Sequence, residues 1–257
     1  MSTPIELNGY HSDIFLEEVT ISKKQKKKKL KRQQEIRPQQ NLQLKTITPL
    51  TANQKLAFDN YQNKNLFLYG TAGTGKTYCA LYLALNHLLN STNIHKIYLV
   101  RSAVASRNIG FLPGSIKEKQ KVYEDPYRAI CSDLFNRGDA YDILKNKGSI
   151  EFLLTSYIRG ITLDNCIIIV DETQNLSAHE SDTIITRMGN NCKIIFCGDG
   201  KQSDFTNEHE KGGVSEFIRV IKKVKSFSFI QFGINDIVRG ETVKQYIIAK
   251  ENLGVNY

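Results

Sequence analysis

One eight-residue segment constrains the fold of this chain more than any other feature of its sequence. It fits the pattern G-x-x-x-x-G-K-[ST], the phosphate-binding loop of nucleoside triphosphatases, and consists of Gly70, Thr71, Ala72, Gly73, Thr74, Gly75, Lys76 and Thr77. An apolar run at 66–69 precedes the loop and a helix-forming run at 78–85 follows it. This is the strand–loop–helix context that the motif requires. A glycine-rich turn that matches by accident is the alternative, and the flanking segments argue against it.

The loop residues have separate predicted roles in nucleotide binding. The glycines allow successive backbone N–H groups to turn inward, which makes an anion-binding nest at a helix N-terminus. We expect Lys76 to reach the β- and γ-phosphates and the Thr77 hydroxyl to ligate Mg²⁺. The sequence therefore predicts a chain that binds a nucleoside triphosphate, with ATP and Mg²⁺ as the expected cofactors.

Two acids follow the most apolar segment of the chain. Residues 166–170 read Cys-Ile-Ile-Ile-Val, a run typical of a central strand buried on both faces of a parallel sheet. Asp171 and Glu172 follow at the carboxyl edge, where α/β sheets bind ligands. We expect Asp171 to hold Mg²⁺ through a water, and Glu172 to orient and polarise the water that attacks the γ-phosphate. Two acids that only cap the next helix are the alternative.

Two glutamines are candidates for contacts with the nucleotide. Gln54 lies upstream of the loop in a predicted helix with Thr51 as its N-cap, where many helicase-like ATPases hold adenine through a glutamine amide. A surface glutamine is the commoner case. Gln202 follows the predicted strand 193–197, which we expect between the loop strand and the acidic strand. Its side chain would sense the γ-phosphate, and a polar turn is the alternative.

The positive charge of the chain is concentrated near its N-terminus. Residues 22–37 carry +8 of the formal net charge of +9. The segment 22–45 is rich in lysine and glutamine and too poor in apolar side chains to offset the entropy of ordering. We therefore expect a flexible, disordered basic arm over 1–45 and an ATPase domain over 46–257. The arm either binds nucleic acid phosphates or only aids solubility, and charge alone does not decide between them.

Composition also argues against several classes of protein. No apolar run approaches the ~20 residues of a membrane span, and the first residues lack the pattern of a secretory signal. The five cysteines form no C-x-x-C pair, so buried reduced thiols are expected rather than disulfides or a zinc site. These features predict a cytoplasmic protein without a membrane partner, located in the host cytoplasm if it is viral.

The motifs and their order are similar to those of the PhoH family of ATPases, whose core resembles that of superfamily 1 helicases. The resemblance covers most of 46–257 and rests on 70–77, Arg101, 110–114, Arg159–Gly160, Val170–Asn175, Arg187, 198–202 and Asp236–Arg239. It implies an α/β, RecA-like P-loop fold with a mostly parallel central sheet flanked by helices. It also implies ATP hydrolysis and a link to RNA or to phosphate starvation. By position, Gln54 resembles the adenine-reading glutamine and Arg239 the arginine of the last helicase motif.

The chain departs from the usual family pattern at a few positions. Ser102 replaces a proline, Arg107–Asn108 a glycine–glutamate pair, and Thr173 an alanine. We expect these positions around the face that meets nucleic acid or another subunit, so that they affect partner choice more than ATP chemistry. A short, divergent form of this kind resembles those carried by bacteriophages.

Two hypotheses of function follow. The first is an oligomeric ATPase, a helicase-like remodeller of RNA or other single-stranded nucleic acid, whose loops 102–116 and 155–162 contact the strand. The second is an ATP-controlled assembly factor or switch that acts on protein partners without translocation.

The expected assembly is a head-to-tail ring, with a hexamer as the favoured form. The segment 46–257 provides one phosphate loop and one RecA-like half, so a neighbouring subunit would complete each site with an arginine. Arg239 is the favoured finger and Arg159 the second choice. Either one could instead sense nucleotide in its own subunit or form an ordinary salt bridge.

Overall fold

A six-stranded parallel sheet forms the centre of the computed structural model, which describes residues 42–102, 116–199 and 208–254. In chain order the strands are β1 (Asn65–Gly70), β2 (Lys96–Arg101), β3 (Ile150–Leu154), β4 (Cys166–Val170), β5 (Lys193–Gly198) and β6 (Phe227–Phe232). Across the sheet their order is β3-β2-β4-β5-β1-β6. The prediction that β5 lies between β1 and β4 is therefore confirmed. Because all pairings are parallel, the loop after β1 and the acids after β4 reach the same carboxyl edge.

Helices cover both faces of the sheet. In the described ranges they are α1 (Ala52–Tyr61), α2 (Lys76–Asn90), α3 (Ile116–Phe135), α4 (Ala140–Asn146), α5 (Ala178–Thr186), α6 (Glu208–Ile221) and α7 (Glu241–Asn252). Thr51 caps α1 as predicted, since its side chain accepts the Gln54 N–H at 3.3 Å. Asn136, which has a positive φ of 47°, lies between α3 and α4.

Alternate residues of the strands enter two separate cores. Leu66 and Leu68 of β1 belong to the core that includes residues of α1 to α4, whereas Phe67 belongs to the core that includes residues of α5 and α6. Every residue of β4 is buried, as its continuous apolar run predicts. The predicted fold class, a RecA-like α/β domain with a parallel central sheet flanked by helices, is confirmed.

The packed domain begins a few residues N-terminal to residue 46, the predicted boundary between the arm and the ATPase domain. Leu42 and Leu44 pack against the core, and the Lys45 N–H donates to the Leu134 carbonyl at 2.9 Å. Residues 42–45 therefore belong to the domain rather than to the arm, because two leucines close to the basic run find apolar partners. The rest of the predicted arm (1–41), the turn-rich segment 110–114 and Gln202 lie outside the described residues.

The described helices and the cysteines can be compared with the expectations of no membrane-spanning segment and of reduced thiols. None of the described helices is both long and apolar enough to cross a lipid bilayer. All five cysteines are free thiols, of which four are buried and Cys192 is half-buried. Cys166 and Cys192 place their sulfur atoms 3.4 Å apart without a disulfide between them.

Candidate nucleotide-binding site

The phosphate loop connects β1 to α2, and all three of its glycines have positive φ values, which favour glycine. Gly70 has a φ of +128°, and a Cβ at this position would lie 2.0 Å from the Phe232 carbonyl oxygen of β6. Gly75, which precedes α2, has a φ of +79°. Both values fall where L side chains are strained. The loop is therefore wound tightly against the sheet edge, with the N-terminus of α2 at its end.

Lys76 folds over the loop that precedes it. Its ammonium donates to the carbonyl oxygens of Gly70 at 2.8 Å and Thr71 at 2.7 Å. Burial lowers the pKa of Lys76, and the nearby carboxylate of Asp199 opposes that shift. The charge thus lies within the curve of the loop, where β- and γ-phosphates bind in proteins of this motif.

Asp171 is held by two hydroxyl groups from different helices. The Thr77 hydroxyl donates to Oδ1 at 2.9 Å, and the Tyr127 hydroxyl of α3 donates to Oδ2 at 3.0 Å. Tyr127 has no exposed surface, and burial raises the pKa of its phenol well above the ordinary value. Tyr127 was not among the predicted site residues, since no sequence pattern links it to an acid 44 positions later.

Glu172 has an unusual backbone conformation and two side-chain partners. Its φ of 53° lies in the left-handed region. Arg101, at the end of β2, approaches its Oε1 to 3.2 Å, and the Gln174 amide donates to its Oε2. Burial and the neighbouring charge of Asp171 raise the pKa of Glu172, and Arg101 opposes the shift. The carboxylate is thereby fixed in the lining of the cleft.

Gln174 also connects the acidic strand end to the next strand. Its Oε1 accepts the backbone N–H of Asp199, the buried residue after β5, at 2.9 Å. The Thr173 hydroxyl makes a parallel link, because it donates to the Cys197 carbonyl at 2.9 Å. The ends of β4 and β5 are therefore joined by side chains of the segment that contains the predicted catalytic acid.

Two of the departures from the family pattern lie inside the domain rather than on its surface. Thr173 has no exposed area, and Ser102 is 1 % exposed and donates to Glu180 at 3.1 Å. Both hydroxyls are satisfied inside the domain, so neither side chain is exposed to contact nucleic acid or another subunit; their effect on partner choice stays a prediction. Arg107–Asn108 lies outside the described residues.

Gln54 is buried and touches the phosphate loop. Its Oε1 accepts the Leu50 N–H at 2.8 Å and its Nε2 donates to the Thr74 carbonyl at 3.0 Å. A primary amide has two donor hydrogens and two acceptor lone pairs, so one of each remains. One donor hydrogen and one acceptor lone pair are what a two-point contact with an adenine edge requires.

The two candidate arginines occupy different parts of the domain. Arg239 lines the cleft, and a Cβ on Gly73 would lie 2.9 Å from its Cγ. Its neighbour Val238 also donates its N–H to the Gly73 carbonyl at 3.0 Å. Arg239 therefore contacts the loop of its own subunit, which disfavours its predicted use as a finger in a neighbour's site. Arg159 is exposed and follows a 3₁₀ turn (Thr155–Tyr157) beyond the edge strand β3.

A cleft of about 1040 Å³ joins these side chains. Its lining includes every loop residue from 72 to 77, together with Lys45, Thr46, Ile47, Thr48, Leu50, Gln54, Tyr78, Cys79, Pro126, Ala129, Ile130, Asp133, Asp171, Glu172, Cys197, Gly198, Asp199, Val238 and Arg239. The loop and the acids share this lining with apolar and polar side chains from α3 and from the segment before α1. The cleft is large enough for a nucleotide.

The residues around Asp171 suit Mg²⁺ rather than a transition metal. No group of three or more His, Cys, Asp or Glu side chains in the described ranges converges as a metal site. One hydroxyl and one carboxylate, 2.9 Å apart at Thr77 and Asp171, are instead available. Mg²⁺ in nucleotide sites usually takes one or two such protein oxygens and completes its shell with phosphates and water.

Most of the chain matches a known protein family. Residues 46–251 match the family model described as "PhoH-like protein". A PhoH-like protein of Bacillus subtilis is 36 % identical over 189 residues, which are 73 % of this chain and 58 % of the relative. One from Mycobacterium tuberculosis (strain H37Rv) is 34 % identical over 210 residues, covering 80 % and 58 % of the two chains. The match thus spans somewhat less than three-fifths of each relative's length.

Solved structures with a similar backbone fold include two phage proteins. The UvsW helicase of bacteriophage T4 has a TM-score of 0.43 at 15 % identity, covering 83 % of this chain and 68 % of that one. The large terminase of the thermophilic bacteriophage D6E, in complex with ADP, has a TM-score of 0.43 at 13 % identity, covering 77 % and 49 %.

Proposed function

Because this chain belongs to the PhoH-like protein family, we propose that its cleft binds ATP with Mg²⁺ and hydrolyses it. The observation that carries the proposal is the 2.9 Å hydrogen bond between Thr77 and Asp171. It brings the end of the phosphate loop to the carboxyl end of the central strand, where a metal-bound triphosphate would lie.

Binding of the triphosphate rests on the loop and on Lys76. The loop amides and the N-terminus of α2 offer N–H groups and a positive dipole end to the phosphates. Lys76 adds a full charge that now rests on the carbonyl oxygens of Gly70 and Thr71. In the complex it would turn to the β- and γ-phosphate oxygens, while Gln54 contacts the base.

Thr77 and Asp171 would hold Mg²⁺, which when bound neutralises charge on the β- and γ-phosphate oxygens. Tyr127 keeps Asp171 oriented toward that position, since its hydroxyl holds the second carboxylate oxygen. Fixing the direction of such a carboxylate limits the geometries that an ion can take.

Glu172 is the proposed base for the attacking water. Arg101 and Gln174 each hold one of its oxygens, so the carboxylate presents a fixed direction to the cleft. As the water attacks the γ-phosphorus, its proton passes to Glu172 and the bond to the β-phosphate oxygen breaks. ADP and inorganic phosphate are the products. Gln202 would sense the γ-phosphate from the segment after β5, and Arg239 would contact the nucleotide from beside Gly73.

We further propose that the ATPase acts as a head-to-tail ring, favoured as a hexamer, on RNA or another single-stranded nucleic acid. The segment 22–37, with a net charge of +8, would supply salt-dependent affinity for the phosphates. Since Arg239 lies against its own loop, Arg159 becomes the better candidate for the arginine that a neighbour contributes. Its exposed position beyond the edge strand is open to another subunit.

One feature favours the second candidate function, an ATP-controlled switch for protein partners. The outer side of α7 exposes Val243 and Tyr246, and Leu253 follows the helix with 76 % exposure. On its inner side, Glu251 of the same helix accepts a hydrogen bond from Thr71 at 2.9 Å. A partner bound to the apolar side of α7 would therefore be one helix away from the phosphate loop.

Phosphate release from ATP by the purified chain tests the proposal. The wild type should turn over ATP, Lys76→Ala should be inactive and bind nucleotide weakly, and Lys55→Ala should match the wild type. Lys55 is a suitable control because it pairs with Asp59 on the exposed side of α1 and does not line the cleft. Normal turnover by Lys76→Ala would show that the phosphate loop does not have the proposed role in ATP hydrolysis.

Adding single-stranded RNA to the same assay separates the two candidate functions. A remodeller of nucleic acid should turn over faster with RNA, and this stimulation should fall as salt rises. A switch for protein partners should show no change. Mixing inactive Arg159→Ala and Lys76→Ala subunits should restore part of the activity if the arginine acts between subunits, and no recovery would exclude that role.

A further inference from the structure

Three polar side chains from separate segments meet in the lining of the cleft. Asp133 of α3 accepts a hydrogen bond from the Tyr78 hydroxyl at 2.6 Å and pairs with the Lys45 ammonium at 2.7 Å. All three residues line the same cleft as the phosphate loop. The segment before α1 is fixed beside α3 by the hydrogen bond from the Lys45 N–H to the Leu134 carbonyl.

The position of this cluster relative to the phosphates follows from the chain itself. Tyr78 comes directly after Thr77, the proposed Mg²⁺ ligand at the N-terminus of α2. Phosphates bound to a loop of this type extend along the amides that open the following helix. The sugar is bonded to the α-phosphate, so it lies beyond Thr77 on the way to the base. Because Tyr78 follows Thr77 and lines the same cleft, the cluster of Lys45, Tyr78 and Asp133 borders the expected path of the sugar.

From this geometry we propose that the Asp133 carboxylate accepts hydrogen bonds from the ribose hydroxyls, which makes the cleft selective for ribonucleoside over deoxyribonucleoside triphosphates. The inference rests on the proposed nucleotide function and adds the class of sugar to it. Lys45 and Tyr78 position the carboxylate. Both of their contacts reach Oδ2, and a carboxylate has about four acceptor positions, so Asp133 retains capacity for the sugar.

The stability of the folded domain does not explain why these three side chains meet. The Asp133 side chain is 54 % exposed and that of Lys45 31 % exposed. Ion pairs this exposed contribute little to folding. Asp133 is also ionised more readily than usual, because the hydrogen bonds from Lys45 and Tyr78 lower its pKa. An ionised acceptor at the rim of a nucleotide-sized cleft is instead suited to a ligand hydroxyl.

Calorimetric titration of the full chain with Mg²⁺ and ATP, 2′-deoxy-ATP or 3′-deoxy-ATP tests the inference. The wild type should bind ATP at least about tenfold more tightly than one of the deoxy analogues, since a hydrogen bond to a charged group has about that effect. Asp133→Ala should lose this preference by weakening the binding of ATP alone. Asp59→Ala should retain it, because Asp59 forms a similar 2.7 Å pair with Lys55 on the exposed surface of α1, outside the cleft lining.

The possible outcomes separate this inference from the function on which it rests. Equal affinity of the wild type for all three nucleotides would overturn the sugar contact while leaving the ATPase proposal in place. An unchanged preference in Asp133→Ala would assign the selectivity to another residue and also overturn the inference. Binding of none of the three nucleotides would refute the proposed function itself.

Discussion

Replacing Tyr127 by Phe tests whether α3 sets the geometry of the proposed metal site. The tyrosine has no exposed surface, and its hydroxyl donates to Asp171 Oδ2 at 3.0 Å. Asp171 is itself only 7 % exposed, so bulk water does not readily replace the missing donor. A hydrogen bond to a charged group contributes about 1.5–3 kcal/mol. In a domain of this size, its loss should lower Tm by about 3–12 °C.

Thermal unfolding followed by circular dichroism measures this effect, with Tyr82→Phe as the control. Tyr82 is also a buried tyrosine, and its ring stacks on Phe58 with centroids 5.5 Å apart. No hydrogen bond joins its hydroxyl to any residue of the ranges that the structure describes. The control should therefore unfold close to the wild type, since it keeps the ring and loses no buried hydrogen bond.

The same variant should alter the dependence of ATP hydrolysis on Mg²⁺. Without Tyr127, Asp171 is held only through Oδ1 by Thr77. Loss of a group that orients a metal ligand typically costs about 10–100-fold in metal affinity or activity. The Mg²⁺ concentration for half-maximal activity should rise accordingly. If Tyr127→Phe shows the wild-type Tm and the wild-type Mg²⁺ dependence, the account of how Asp171 is positioned is incorrect.

Three further perturbations have defined outcomes. Removing residues 1–41 leaves the packed residues from 42 onward in place, so basal ATPase activity should be preserved. The slope of log affinity for RNA against log salt concentration should become shallower by several units. An unchanged slope would assign the arm another role. A thiol reagent at pH 8 should modify half-buried Cys192 first and Cys79 slowly, because burial raises the pKa of the Cys79 thiol to about 12; equal labelling rates by mass spectrometry would contradict this. Gln54→Ala should reduce the preference for ATP over GTP in competition binding, and an unchanged preference would exclude an adenine contact.

The parts of this molecule that the sequence could predict are those encoded in contiguous patterns. The phosphate loop is one such pattern, since its glycines, lysine and threonine are consecutive. The buried run before Asp171 is another, because a short segment that is apolar at every position is typical of a central strand of a parallel sheet. The expected place of β5 between β1 and β4 is also confirmed, and the parallel sheet brings the loop and the acids to one edge.

Contacts between distant segments account for most of what the sequence could not predict. Tyr127 reaches Asp171 only because α3 packs across the sheet, and no periodicity encodes that meeting. Arg239 was the favoured finger for a neighbouring site, but the chain after β6 returns to the loop and places it beside Gly73. The boundary at 46 was late because the basic composition nearby obscured two leucines that pack on the core.

The most direct test of the central claim is a paired measurement of ATP binding and phosphate release by Glu172→Gln. Glutamine keeps the size of the side chain but cannot take a proton from water. This variant should bind Mg²⁺ and ATP about as tightly as the wild type and release almost no phosphate. Phosphate release at the wild-type rate would show that Glu172 is not the base. Loss of ATP binding would show that its role is in holding the nucleotide.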